Sequence, residues 1–270
     1  MTSAPADRHF ANTHFVTLQA KRMSELTSHS LVMRAPLSNA VKVAHSRIAA
    51  PGTWLSGTTR VAIAAETRHA TQCRLCQERK DALSPSALEG DHDRLGDSLV
   101  GLSPAMIDVV HRLVTDTARL TEQWLNERLA NGITEEEYVE IIGVVATQVG
   151  LDTLNRAIGA EPAPLPVPQA GAPSRKRPRG ARKDLAWVAT LSPETIEASD
   201  PPIFARHGSV NIHRAISLVP QEAINFFDLD VELYLKDDEI RDFDNEYREI
   251  SHAQIELIAG RTSFLNGCYY

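Results

Sequence analysis

Three cysteines in two settings are the residues of this chain best suited to do chemistry. Cys73 and Cys76 stand in Cys73-Arg74-Leu75-Cys76, and Cys268 closes a segment that nearly repeats the first: residues 61–73 read VAIAAETRHATQC and residues 256–268 read ELIAGRTSFLNGC. In both, an apolar helix-like run delivers a cysteine to the start of the next element. Two cysteines three apart at a helix start are a redox signature. Unpaired backbone N–H groups and the helix dipole stabilise an anion there, and only the thiolate is a good nucleophile. One thiolate would attack a peroxide to give a sulfenic acid, which the neighbouring thiol resolves as a disulfide. A lone cysteine starts that cycle but needs another thiol to finish it, and after Cys268 come only Tyr269 and Tyr270. Thr71 and Asn266, two residues before Cys73 and Cys268, are expected to cap the helices that the sulfurs begin.

Glu66 stands seven residues before Cys73. Two helical turns return it to the same face, which makes it a candidate proton acceptor; the plainer alternative is a surface or ion-paired glutamate. Two other roles for the pair stay open. Cys-x-x-Cys is also half of a zinc site, and His69 and His92 could complete one, although they fit no standard finger or ribbon spacing. Cysteine also serves as a small, inert core residue.

The elements that must position these sulfurs are helical, because almost nothing in the chain alternates with the period of a half-buried strand. From Leu37 onward, apolar residues recur at spacings of three and four. Ser103-Pro104 places a capping hydroxyl before a proline at the first helical position, with Met106, Val109, Val110 and Leu113 on one face. Leu120, Trp124, Leu125 and Leu129 make a second amphipathic stretch that ends at Gly132. Thr134 and Glu137 form a capping box ahead of Tyr138, Ile141, Ile142, Val145 and Val149, in a helix expected to run to Ile158 and stop at Gly159. Farther on, residues 212–235 return to helical spacing, with Ile224, Phe227, Val231 and Tyr234 as the expected buried face. Ser251 and Gln254 make another capping box, before the helix that carries Glu256.

An all-α architecture follows, divided as an N-terminal arm (1–36), a first helical domain (37–160), a Pro-rich basic linker (161–185) and a truncated second helical domain (186–270). Residues 161–183 hold six prolines and six basic residues, so they sustain neither a helix nor a central strand. That basic run is expected to be a solvated segment docked on the acidic remainder, rather than a localisation or nucleic-acid patch.

At 270 residues, of which 43% are apolar, the chain is long enough to bury one large core or two smaller ones. The net charge of -7 argues against a nucleic-acid partner, which requires a basic surface. No run approaches a membrane span, and the N-terminus lacks the basic start and apolar core of a secretory signal. An odd cysteine count with one close pair does not resemble a secreted disulfide framework. A cytoplasmic location with resting thiols reduced is the expectation, with no membrane partner.

At the cysteine segments, and over the capped helix at 134–159 with its EEEYVEIIGVVA run, the chain resembles the alkylhydroperoxidase-D and carboxymuconolactone-decarboxylase superfamily. The resemblance implies an all-helical fold, a homo-oligomer, and in the peroxidase branch a glutamate twelve residues before Cys-x-x-Cys with a histidine four after it, which relay protons. Carried over by position, the first copy keeps Cys73 and Cys76 but has Val61 in place of the glutamate and Lys80 in place of the histidine. The second keeps Glu256 twelve before Cys268, with Arg261, Ser263, Leu265, Asn266 and Gly267. Its second cysteine and histidine would lie beyond Tyr270. Some relatives use selenocysteine in the pair, so a selenocysteine read at the next codon is one explanation of that end; a fragment and a genuine short form are the others.

The expected function is a thiol-dependent peroxidase or disulfide reductase of the alkylhydroperoxidase type. It would act on hydroperoxides without a cofactor and be recharged by a dithiol reductant protein or a small thiol. Its expected site residues are Cys73, Cys76, Cys268, Glu256 and Glu66. The competing expectations are a non-catalytic helical oligomerisation scaffold with degenerate sites and a carboxymuconolactone-decarboxylase-like enzyme. The decarboxylase branch does not depend on Cys-x-x-Cys chemistry.

Overall fold

The computed structural model describes residues 33–93, 95 and 101–268, so almost all of the expected N-terminal arm lies outside the described residues. Among the described residues the chain is built of helices, turns and extended segments without a strand; one isolated antiparallel bridge joins Arg182 and Thr190. The all-α expectation holds. No helix among these residues is long and apolar enough to cross a membrane.

Local chemistry explains where the helices begin. The first, α1 (Ala35–Ala49), starts two residues before the expected Leu37, with Pro36 at its second position. The Ser56 hydroxyl accepts from the Thr59 N–H to open α2 (Gly57–Ala70). Next, α3 (Arg74–Asp81) begins at Cys73. The Ser103 hydroxyl caps α4 (Pro104–Thr115), and Thr121 caps α5 (Glu122–Ala130). Thr134 and Glu137 form the expected capping box of α6 (Glu135–Ala157), which ends one residue short of Ile158. Each such cap satisfies an otherwise orphaned N–H and stabilises its helix by about 1 kcal/mol.

Residues 212–235 do not form one helix. Two short helices, α7 (Ile203–His207) and α8 (Asn211–Ala215), precede α9 (Pro220–Leu233), because Pro220 cannot continue a helix and starts a new one instead. Ile224 and Phe227 are buried as expected, whereas Val231 and Tyr234 are only half-buried. A five-residue α10 (Asp237–Arg241) leads to α11 (His252–Leu265), opened by the Ser251 and Gln254 capping box.

One apolar core runs through these elements. It joins Ile48 of α1, Ile63 of α2, Val109 and Val110 of α4, Leu125 of α5, Val139, Ile141 and Leu151 of α6, and Ala223, Phe227 and Leu229 of α9. Helix α2 packs on α4 and α6, while α9 packs on α1 and α6. The long α6 is therefore the shared wall. Side chains of this size contribute roughly 1.5–3 kcal/mol each when fully buried. Val149 of α6 is left at the surface.

A buried ionic knot ties α9 to the same wall. Arg60 Nη1 lies 2.7 Å from Glu140 Oε1 and 2.8 Å from Glu222 Oε1, and all three side chains are at most 3% exposed. Gly143 leaves room for it: a Cβ there would stand 2.8 Å from Glu222 Oε2. The proline-rich segment lies against this end of the molecule. The Gln169 N–H donates to the Ala49 carbonyl at 2.9 Å and the Arg175 N–H to that of Thr53 at 2.8 Å. Arg177 pairs with Glu136, and Arg175 sits 3.8 Å from Glu137. Basic residues of the run are thus docked on the acidic first turn of α6, as charge complementarity requires.

Candidate functional site

Cys73 is the N-cap residue of α3, and Cys76 lies in its first turn. Thr71 does not cap that helix; it is the C-cap of α2, and the Cys73 N–H donates to the Ala70 carbonyl at 3.3 Å across the turn. Asn266 likewise ends α11 rather than starting a further helix. Both corrections have one cause: the first helix closes with a turn of its own, so the residue two before the sulfur belongs to the end of one helix and not the beginning of the next.

Two histidines from elsewhere converge on the sulfurs. His111 projects from α4, and its Nδ1 lies 3.2 Å from Cys76 Sγ. His92 comes from the segment that follows the turn at Pro85–Ala87, and its Nδ1 is 3.4 Å from Cys76 Sγ and 3.7 Å from Cys73 Sγ. The two rings stand 4.2 Å apart, centre to centre. All four donor atoms lie within 4.8 Å of one another. Cys73 and Cys76 are both free thiols, 0% and 1% exposed.

Each imidazole is oriented by a carboxylate on its far side. His111 Nε2 is 2.7 Å from Glu66 Oε1, a pair wholly out of solvent, and His92 Nε2 is 2.8 Å from Asp108 Oδ1. A carboxylate accepts, so Nε2 carries a hydrogen on both rings, and Nδ1 is the ring nitrogen that faces sulfur. Asp108 also accepts from Trp124 Nε1 and Arg128 Nη1, each at 2.8 Å. Burial alone would raise its pKa. The hydrogen bonds from His92 and Trp124, with the charge of Arg128, outweigh that and hold the carboxyl well below its usual range.

Electrostatics set the resting state of the other groups. Burial pushes the Cys76 thiol up to about 12, and the nearby Cys73 pushes the same way. Burial also lowers the His111 pKa, and His92 adds to the lowering, against the opposing pull of Glu66. At neutral pH the site therefore holds a protonated Cys76 beside a neutral His111.

Of the sequence candidates, Glu66, Cys73 and Cys76 are thus brought together, with Glu66 acting on Cys76 through His111 rather than directly. Lys80 is exposed, and His69 turns to the Asp93 carbonyl at 2.9 Å. Glu256 and Cys268 are not part of the cluster. Glu256 accepts from the Tyr234 hydroxyl and lies 3.7 Å from His252 Nε2, while Cys268 is exposed beyond the end of α11. Sequence reasoning missed His111 and Asp108. The signal available was an acid and a histidine three apart on α4, on the same face of a helix whose apolar pattern accounts for neither.

A cavity of about 380 Å³ opens on the other side of the His92 ring, lined among others by Arg79, Asp108, Arg128 and Asn131. It offers a polar approach, in which Arg79 and Arg128 face Asp91 and Asp108, with the His92 ring between it and the sulfurs. Comparison of the chain with family models, with curated proteins and with solved structures found no match.

Proposed function

We propose that the chain is a thiol-dependent hydroperoxide reductase of the alkylhydroperoxidase type, working through Cys73 and Cys76. The observation that carries this is the buried series Glu66, His111, Cys76, with Cys73 beside it at the start of α3. A thiol held protonated at rest needs a base within reach, and His111 Nδ1 is that base at 3.2 Å. Glu66 stabilises the imidazolium that forms. In the superfamily that the chain resembles, a glutamate and a histidine near the pair have this task; here Val61 and Lys80 stand at their positions, and Glu66 and His111 would take over from elsewhere in the fold.

Cys76 gives its proton to His111 Nδ1, and the thiolate attacks the terminal oxygen of a hydroperoxide. The O–O bond breaks, leaving Cys76 as a sulfenic acid and an alkoxide that takes the proton back from His111. Cys73 then attacks the Cys76 sulfur, a disulfide forms, and hydroxide leaves as water with the Cys73 proton. A dithiol protein or small thiol restores the pair by exchange, itself becoming a disulfide. A hydroperoxide enters from the cavity beside His92, whose ring must swing aside for the sulfur to be reached. A cytoplasmic, homo-oligomeric enzyme is part of the same proposal.

The test is peroxide-dependent loss of thiols in the reduced protein, followed by peptide mapping. One disulfide between Cys73 and Cys76 is expected, with no turnover in Cys73→Ser or Cys76→Ser. Thiols that survive excess hydroperoxide in the folded, metal-free protein would sink the proposal.

A further inference from the structure

The four donors at this site match a second chemistry that does not need peroxide. Two sulfurs and two imidazole Nδ1 atoms make an S2N2 donor set, the number and kind that tetrahedral zinc takes. Zinc holds sulfur at about 2.3 Å and nitrogen at about 2.0–2.1 Å, so the edges of such a tetrahedron are about 3.6 Å for sulfur to nitrogen and about 3.8 Å for sulfur to sulfur. Three of the four sulfur-to-nitrogen distances are 3.2, 3.4 and 3.7 Å, and no pair in the set exceeds 4.8 Å. Three edges already match those the ion requires to within about 0.4 Å, and the widest pair would close by about 1 Å on binding.

Three further observations point the same way. Both histidines offer the lone pair of Nδ1 to the centre, since Glu66 and Asp108 hold both Nε2 hydrogens. Carboxylates that orient and polarise ligating imidazoles are the usual outer partners of zinc histidines. The set holds no carboxylate oxygen aimed at its centre and no hard ligand, which disfavours calcium and magnesium and favours a borderline-soft ion. The ligands also come from three separate parts of the chain, the start of α3, the segment around residue 92 and α4, so an ion would clamp them together.

We propose that Cys73, Cys76, His92 and His111 bind one Zn2+ ion in the reduced protein, and that the ion and hydroperoxide compete for the same two sulfurs. Binding replaces the two thiol hydrogens by the cation and releases two protons. Disulfide formation would withdraw both sulfur ligands and release the ion. The binding stands on the geometry alone, whereas the competition rests on the peroxidase proposal.

The experiment uses the full chain, reduced and stripped of metal with a chelator, and titrated with Zn2+ against a chromogenic indicator. Co2+ serves as the spectroscopic probe. One Zn2+ per chain is expected, and Co2+ should give the visible bands of a tetrahedral ion with a thiolate charge-transfer band. Cys76→Ser should abolish that band. Glu66→Gln and Asp108→Asn should weaken Zn2+ about 10- to 100-fold, as outer-partner changes do. His111 is fully buried and its replacement endangers the fold, so His92→Ala, checked by circular dichroism, is the informative histidine variant. It should lose tight binding while staying helical.

Absence of stoichiometric Zn2+ uptake, or uptake unchanged in Cys76→Ser and His92→Ala, would overturn the site. The two proposals fail separately. A metal-free protein that forms the disulfide with peroxide but takes up no Zn2+ refutes the ion and leaves the peroxidase standing. A protein that binds Zn2+ but keeps its thiols under peroxide when metal-free refutes the peroxidase and the competition, and leaves the ion.

Discussion

Replacing Glu66 by glutamine isolates the part of the site that the sequence only half suggested. Glutamine has nearly the same shape and keeps an oxygen that can accept from His111 Nε2, now 2.7 Å from the carboxylate. The fold should therefore survive, and what is removed is charge. When Cys76 passes its proton to His111, the imidazolium loses its anionic acceptor, a bond of about 1.5–3 kcal/mol, and keeps a weaker one to a neutral amide oxygen, set here at about 0.5–1.5 kcal/mol. The difference, about 1–2 kcal/mol, slows thiol oxidation roughly 5- to 30-fold at 1.36 kcal/mol per tenfold. The charge itself sets a ceiling: two unit charges about 4 Å apart at an effective dielectric of about 20 attract by about 4 kcal/mol, on the order of a thousandfold. The assay is single-turnover loss of thiols in the reduced, metal-free protein, by rapid mixing with excess hydroperoxide, quenching with an alkylating agent and mass analysis. A rate within twofold of the parent, in a variant whose helical signal and unfolding midpoint are unchanged, would refute the role of Glu66 and with it the proton route.

Two other outcomes test the frame around the site. Arg60→Met should cost about 3–5 kcal/mol in urea unfolding, because it leaves Glu140 and Glu222 buried together without their cation; a loss under about 1 kcal/mol would show that the knot ties nothing. His213 has a pKa lowered by burial, against the opposing pull of Asp237, so its neutral form belongs to the folded state and the unfolded chain binds the extra proton. Its contribution is present above the unfolded value of about 6.5 and is lost as pH falls from there through the folded value. The parent should accordingly lose stability between pH 7.5 and pH 5 faster than His213→Asn does, measured by urea midpoints at each pH, and parallel curves would contradict the assignment.

Helix boundaries set by adjacent residues were legible without coordinates. Ser103 with Pro104, Thr134 with Glu137 and Ser251 with Gln254 satisfy N–H groups within one turn of themselves, so nothing distant decides them. The same local logic misled at Thr71 and Asn266, where a capping residue type stands at the end of one helix and not before the next. Helical spacing over residues 212–235 was legible too, but not that Pro220 starts a new helix there or that Val231 and Tyr234 stay half-buried.

By itself the sequence determined the helical class, the capped starts of α4, α6 and α11, the docking of a basic proline-rich run on acidic residues, and the thiol pair with Glu66 as a candidate proton acceptor. These follow from period, caps and charge, which act over a few residues or over the whole surface. Only the tertiary structure decided that Cys76 meets His111, 35 residues along the chain, and His92, 16 residues along. It also decided that Glu66 reaches the sulfur through an imidazole and that Glu256 and Cys268 take no part in the cluster. A periodic pattern states which face of a helix turns inward but not which other face it meets, and a site made of side chains from α2, α3, α4 and one loop exists only once those faces have packed.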